Sequence, residues 1–212
     1  MSKQIIFDYQ VSLDDITVEN TNGNNKVLIL RNDRLENASK NKYTYSKYTK
    51  GYFKATECLY NELVNEETAI VERDKISYPF LFLYRHTIEI TIKEILFLEH
   101  DDSEGVHDLI INWNSLRVIV STYLPKKNIT IILDNLETYI IAINEFDKTS
   151  TQNRYPIQKK NVSSYKGDVC FSPDKLMKYM NDFMRQMDVI KSLLEKLKYK
   201  QYEEGENIER SR

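Results

Sequence analysis

A strongly apolar stretch of the chain, residues 81–96 (LFLYRHTIEITIKEIL), carries four charged or titratable side chains. They are Arg85, His86, Glu89 and Lys93, and on one helix they fall within a wedge about 100° wide. Arginine can hold a phosphate through a bidentate fork, and histidine can exchange a proton near neutral pH. These residues predict a cleft in which Arg85, His86 and Lys93 surround an anion and Glu89 orients them.

The same four residues also fit a purely structural interpretation. Arg85–Glu89 and Glu89–Lys93 are i,i+4 pairs, each worth about 0.2–0.5 kcal/mol on an exposed helix. Charge ladders of this kind are common on solvated faces, and His86 would then have no role. The rest of the helix circumference is apolar, which indicates burial on most sides. Both interpretations stay open: the polar wedge is either a solvent-facing strip or the lining of a cleft.

Two other segments extend the hypothesis of a catalytic cleft. His86 or His107 would act as the acid or base, and Arg85 or Arg154 would stabilise charge developing on a phosphate. Arg154 and Tyr155, with the lysines that follow them, would form a small surface for phosphate contact and base stacking. The plainer alternatives are a helix-start role for His107 and a solvated polar loop around Arg154.

Three short motifs carry a resemblance to a known family. The first is a helix with Arg-His, Glu and Lys, the second a Gly-x-His-Asp-Leu step, and the third an Asp-x-x-Ser step followed by Arg-Tyr-Pro. The matching residues are Arg85, His86, Glu89, Lys93, Gly105, His107, Asp108, Leu109, Asp147, Ser150, Arg154, Tyr155 and Pro156. Through them the chain resembles bacterial HEPN-like helical proteins over roughly residues 50–200.

The resemblance implies an antiparallel helical bundle, often a homodimer, with an RNA- or nucleotide-related role in toxin–antitoxin or antiviral defence systems. We also expect binding roles for five of the matching residues, Glu89, Lys93, Asp147, Arg154 and Tyr155. Many members are metal-independent ribonucleases with an Arg-x(4–6)-His motif. This chain departs from that motif, because no arginine lies five to seven residues before any of its three histidines. Arg85 and His86 are adjacent and point about 100° apart on a helix.

Hydrophobic periodicity predicts a mainly α protein, an antiparallel bundle of about five helices with a short N-terminal β-hairpin or arm. The expected units are the arm at 1–35, the bundle at 36–200 and a flexible tail at 201–212. Within the bundle, residues 36–48 read as a connection and 147–171 as a long polar loop. The four helices expected before that loop cover about 49–70, 79–98 with Pro79 in its first turn, 109–123 and a stretch ending near 146.

The last predicted helix begins with Ser172-Pro173-Asp174, which reads as an N-cap, a first-turn proline and a first-turn acid. Its apolar residues alternate spacings of four and three over three heptads. Such a stripe fits either a core helix or the seam of a homodimer, and its width favours the core.

Composition excludes several classes of function. The net charge of −2 supplies no global attraction to nucleic acid, so RNA would need a local patch and no DNA partner is predicted. Five glycines form no phosphate-binding fingerprint, and the acidic segment 99–105 fits neither an EF-hand nor a zinc site, so no cofactor or metal is expected. Two distant cysteines suit a reducing compartment. With no signal peptide or membrane span in the sequence, we expect a cytoplasmic protein.

The sequence therefore supports two functional hypotheses from different classes. The first is a HEPN-like protein with an RNA- or nucleotide-related role in microbial defence or stress, which could include endoribonuclease activity. Its catalytic residues would be Arg85, His86 and His107. The second is a non-catalytic helical adaptor that dimerises and binds a protein partner.

Overall fold

Five α-helices make up most of the part of the chain that the computed structural model describes. The described residues are 42–99, 107–147, 151, 153–155, 157–158, 162–163 and 170–210, all of them in the compact unit Ser39–Arg212. The helices are α1 (Lys42–Val64), α2 (Ile70–Glu99), α3 (Leu109–Tyr123), α4 (Lys127–Phe146) and α5 (Pro173–Arg210). The mainly helical fold class is confirmed. The predicted N-terminal arm and the acidic segment 100–106 lie outside the described residues.

The helix α2 is the centre of the bundle. It packs against α1, α3 and α5, and α4 packs against α3 and α5. The apolar residues of α2 face these neighbouring helices on most sides, as the distribution of side chains around α2 predicts. The largest fully buried side chains of the core are Trp113, Tyr84, Phe80, Phe183, Ile88, Ile92, Ile95, Leu109, Leu116, Leu133, Ile140 and Met180.

Local capping explains where two of the helices begin. The Asp108 side chain accepts hydrogen bonds from the backbone N–H groups of Ile110 and Ile111, and so caps α3. The Ser172 hydroxyl accepts a hydrogen bond from the N–H of Lys175 at 3.4 Å, next to Pro173 in the first turn of α5. Both beginnings agree with the sequence-based expectation.

Three predicted boundaries are wrong. The segment 42–48 is the start of α1 rather than a connection, and Pro79 lies inside α2 rather than in its first turn. Proline removes one helical hydrogen bond, but the exposed Pro79 leaves the flanking turns continuous, with Ile76 and Phe80 held by the core. The predicted tail is helical through Arg210.

Between α4 and α5 the structure describes two very short strands. The strand β1 (Ile157–Gln158) pairs antiparallel with β2 (Val162–Ser163), with Ile157 opposite Ser163. The sequence indicated only a long polar loop here. In the described part of the chain, no helix combines the length and apolarity needed to cross a membrane.

Candidate functional site

The Arg85 guanidinium joins three segments of the chain. Its side chain is only 4% exposed, and it belongs to the buried face of α2. Nε donates to the Asp147 carbonyl at 2.9 Å, Nη1 to Glu89 Oε2 at 2.9 Å, and Nη2 to the His107 carbonyl at 3.1 Å. Arg85 therefore fixes the residue after α4 and the residue before α3 against α2.

Glu89 is the buried anion at the centre of this arrangement. Its side chain is 2% exposed, and it is bonded to Arg85, to Lys93 Nζ at 2.9 Å and to His107 Nδ1 at 2.9 Å. Burial opposes its ionisation, but the hydrogen bonds from Lys93, His107 and Arg85 together hold the pKa of Glu89 below its usual value. The carboxylate is therefore charged at neutral pH. The two i,i+4 charge pairs expected from the sequence are therefore present, but their side chains are buried rather than exposed to solvent.

His107 lies on the outer side of this buried anion. Its side chain is 69% exposed, while its Nδ1 is 2.9 Å from Glu89 Oε1. An ionised carboxylate can only accept a hydrogen bond, so Nδ1 carries the proton. In the neutral ring Nε2 then has the free lone pair, which points away from Glu89. The Glu89 carboxylate thus orients His107, and the exposed side of the ring is open to a ligand. His107 also immediately precedes Asp108, the N-cap of α3.

Asp147 holds the turn that carries Arg154. Asp147 is 1% exposed, so its predicted contact with a ligand would have to be indirect. Its side chain accepts hydrogen bonds from the N–H of Thr151 at 3.1 Å and from Asn153 Nδ2 at 3.3 Å. Together with the Arg85 bond to its carbonyl, these contacts fix the turn at residues 153–155 relative to α2.

An aromatic group connects Arg154 with His86. The Arg154 guanidinium lies 5.4 Å from the centre of the Phe82 ring and 6.0 Å from that of Tyr155. The His86 ring stacks on Phe82 with a centroid distance of 5.6 Å and meets the edge of Tyr52 at 4.4 Å. Arg154 and Tyr155 are exposed, and His86 is half-buried. This is the geometry of a cation and an imidazole sharing one aromatic ring.

The electrostatic surroundings keep His86 neutral. Burial lowers the pKa of His86; Glu89 partly offsets this effect, and the positive charges of Lys93, Arg154 and Arg85 lower the pKa further. At neutral pH the imidazole is therefore unprotonated and able to accept a proton. A neutral histidine close to cations is a candidate general base.

The lowered pKa of His86 predicts that the protein loses stability in mild acid. The folded-state pKa lies below the ordinary value of 6.5, so the unfolded chain binds more protons as the pH falls. The contribution of His86 to stability is present above about pH 6.5 and is lost as the pH falls toward the folded pKa. Urea unfolding from pH 7.5 to 5.5 should show a decreasing free energy of unfolding. In His86→Phe the decrease should be smaller, and an unchanged slope would contradict this assignment.

The eight residues predicted from the sequence form two groups of contacts, one around Glu89 and one around Phe82, and the turn held by Asp147 links them. The connections run from Arg85 to Glu89, His107 and Asp147, and from His86 through Phe82 to Arg154. Sequence reasoning assigned no role to Phe82, Tyr52 or Asn153. For Phe82 a signal existed, because it precedes His86 by four residues and shares the polar wedge.

The arrangement offers acid–base chemistry and anion binding. His86 and His107 supply imidazoles, and Arg154 supplies an exposed guanidinium. The buried ion pairs supply rigidity, since each of their charges is already paired. Within the described residues, no group of three His, Cys, Asp or Glu side chains could hold a metal ion.

Comparisons with known proteins add no family to this description. The chain matches no family model. It matches no curated protein and no solved structure either.

Proposed function

We propose that this chain binds single-stranded RNA, or a nucleotide, at a surface formed by His86, His107, Arg154 and Tyr155, here called the histidine surface. The observation that carries the proposal is the Arg85 guanidinium, which bonds at once to the backbone of His107 and Asp147. A single buried cation thereby sets the two loops of the surface against α2. Preorganisation of this kind is what a binding or catalytic site needs.

The proposed reaction is metal-independent cleavage of RNA. Neutral His86 removes the proton from a ribose 2′-hydroxyl, whose oxygen attacks the adjacent phosphorus. The bond from phosphorus to the 5′-oxygen breaks, and His107 in its doubly protonated form donates the Nε2 proton to that oxygen, while its Nδ1–H stays bonded to Glu89. The products are a 2′,3′-cyclic phosphate and a free 5′-hydroxyl, so no water, metal or cofactor is consumed. Arg154 stabilises the charge on the phosphate in the transition state.

The buried residues act as positioning groups in this proposal. Arg85, Glu89 and Lys93 have side chains that are 12% exposed or less, and their charges are engaged with each other. Arg85 was a catalytic candidate, and Glu89, Lys93 and Asp147 were binding candidates, on sequence grounds. We now assign to them the orientation of His107 and of the 153–155 turn. The resemblance to HEPN-like proteins suggests a setting in microbial defence or stress.

Arg154→Ala should weaken RNA binding about fivefold or more, because a phosphate contact and a cation next to stacked bases are both lost. The measurement is fluorescence anisotropy with a labelled, 2′-O-methylated single-stranded RNA, which can bind but cannot be cleaved. Arg185→Ala is the matched control, since Arg185 is an exposed arginine on α5 paired with Asp182. Equal affinities for the two variants would contradict the proposed surface.

A second candidate function rests on α5. This helix has 38 residues, and its last turns expose Tyr199 and Tyr202. Exposed aromatic side chains on a long helix suit a homodimer or a protein partner. Failure of the wild-type protein to bind RNA or nucleotide, together with a stable dimer in sedimentation experiments, would favour this adaptor function.

A further inference from the structure

A second site, separate from the histidine surface, lies between α2, α4 and α5. It is a cavity of about 640 Å³. Most of its wall is apolar, with Leu81, Leu136, Ile143, Phe171 and Phe183 among the lining residues. Pockets for small molecules usually have volumes of about 300–1,000 Å³ and mainly hydrophobic linings. The volume and the wall chemistry therefore fit a small organic ligand.

Tyrosine rings form one side of this cavity. The Tyr139 ring lies 6.0 Å from that of Tyr179 and 5.7 Å from that of Phe183. The Tyr84 hydroxyl donates to the Leu176 carbonyl at 2.8 Å, and the Tyr139 hydroxyl is 2.5 Å from that of Tyr84. The single hydroxyl proton of Tyr84 is used in the bond to the backbone, so the Tyr139 hydroxyl is the donor to the Tyr84 oxygen. Both Tyr84 and Tyr139 therefore direct their hydroxyls into the protein and offer rings to a ligand.

The charged groups in the wall are already compensated. Arg85 is paired with Glu89, and the Asp147 carboxylate accepts two hydrogen bonds from its own turn. Asp182 is paired with Arg185 at 2.8 Å. A charged ligand would lose its hydration on entering and would displace one of these interactions. The cavity therefore favours an uncharged ligand.

Gln186 is the candidate polar contact for such a ligand. It lines the cavity, and its Oε1 is buried without a donor from any described residue. A buried acceptor without a donor is unfavourable, and most native proteins satisfy such atoms. A rotation of the Gln186 side chain toward the cavity would bring this oxygen within reach of an N–H or O–H group on a bound molecule.

We propose that this cavity binds an uncharged, mainly aromatic molecule with one N–H or O–H donor directed at Gln186. Arg85 and Asp147 belong both to its wall and to the network that holds His107 and the 153–155 turn. The cavity is nevertheless a distinct place on the protein, because none of the four residues of the histidine surface lines it.

Fluorescence of N-phenyl-1-naphthylamine, a neutral probe that brightens in apolar surroundings, tests the location. We expect saturable binding of one probe per full-length chain. Ala142→Trp should reduce the affinity at least tenfold, because Ala142 lines the cavity at an exposed position and an indole side chain there covers the opening. Ile141→Trp is the control, since Ile141 is the preceding residue on α4 and is exposed as well, but does not line the cavity. Absence of binding to the wild type, or an equal loss in both variants, would overturn the proposal.

Gln186→Met tests the polar contact in a separate measurement. Indole and 1-methylindole, which differ in the N–H donor, compete with the probe. The variant should bind indole about fivefold more weakly than the wild type does, which is the loss expected for one hydrogen bond. Its affinity for 1-methylindole should be unchanged. An equal change for both competitors, or no change for either, would overturn the assignment of Gln186.

Discussion

Glu89→Ala is expected to lower the free energy of unfolding by about 3–5 kcal/mol, as for other buried ion pairs that lose one partner. Glu89 is the anion shared by Arg85, Lys93 and His107. Removing it leaves the Arg85 and Lys93 cations, with side chains 4% and 12% exposed, without their carboxylate. The cost arises from these buried charges rather than from the lost attraction alone.

Urea unfolding of the wild type and of Glu89→Ala at pH 7.5 measures this effect. Glu72→Ala is a control in the first turn of the same helix, where the side chain is 55% exposed and paired with Lys75. That exposed pair should contribute no more than about 1 kcal/mol. A cost for Glu89→Ala as small as the cost for Glu72→Ala would show that α2 does not bury its charges.

His107→Ala is expected to slow RNA cleavage about 10²- to 10⁴-fold, the usual contribution of one general acid or base. The side chain is exposed, so its removal leaves no cavity, and the His107 carbonyl can still accept from Arg85. The fold should be retained, because Glu89 keeps its bonds to Arg85 and Lys93, and the loss of RNA affinity should be much smaller than the loss of rate. The single-turnover rate on a labelled RNA with EDTA present measures the effect, and the products should carry 2′,3′-cyclic phosphates.

Asn114→Ala is the control for His107→Ala, because Asn114 is exposed on α3, the helix that follows His107. Its cleavage rate should equal that of the wild type. An unchanged rate in His107→Ala would contradict the role of His107 as the general acid. Cleavage by the wild type that EDTA abolishes would contradict the metal-independent reaction.

Sequence periodicity was sufficient to predict the burial of α2 and the pairing of its charges. The pairs Arg85–Glu89 and Glu89–Lys93 follow from spacing along a single helix. The bonds from Arg85 to the carbonyls of His107 and Asp147 could not be predicted in this way. They join residues 22 and 62 positions apart, and backbone groups leave no pattern in side-chain types. Spacing along the helix therefore predicted which charges pair on α2, but not that these pairs would be buried or which loops they would hold.

The wrong helix boundaries have a tertiary or a local cause in each case. The start of α1 packs its Tyr45 ring 5.0 Å from Phe97 of α2, a contact that spacing within α1 does not reveal. Residues 201–204 are exposed in α5, where local propensity and an i,i+4 contact between Lys200 and Glu204 support the helix. The single glycine of this charged segment, Gly205, does not end α5.

The central claim is that buried charges on α2 fix His107 and Arg154 into one RNA-binding surface. The most direct test is NMR of the imidazole nitrogens of His86 and His107 during titration with a 2′-O-methylated single-stranded RNA. The account predicts that both ring signals shift together and saturate at one RNA per chain. Saturable RNA binding that moves neither signal, or the absence of binding, would contradict it.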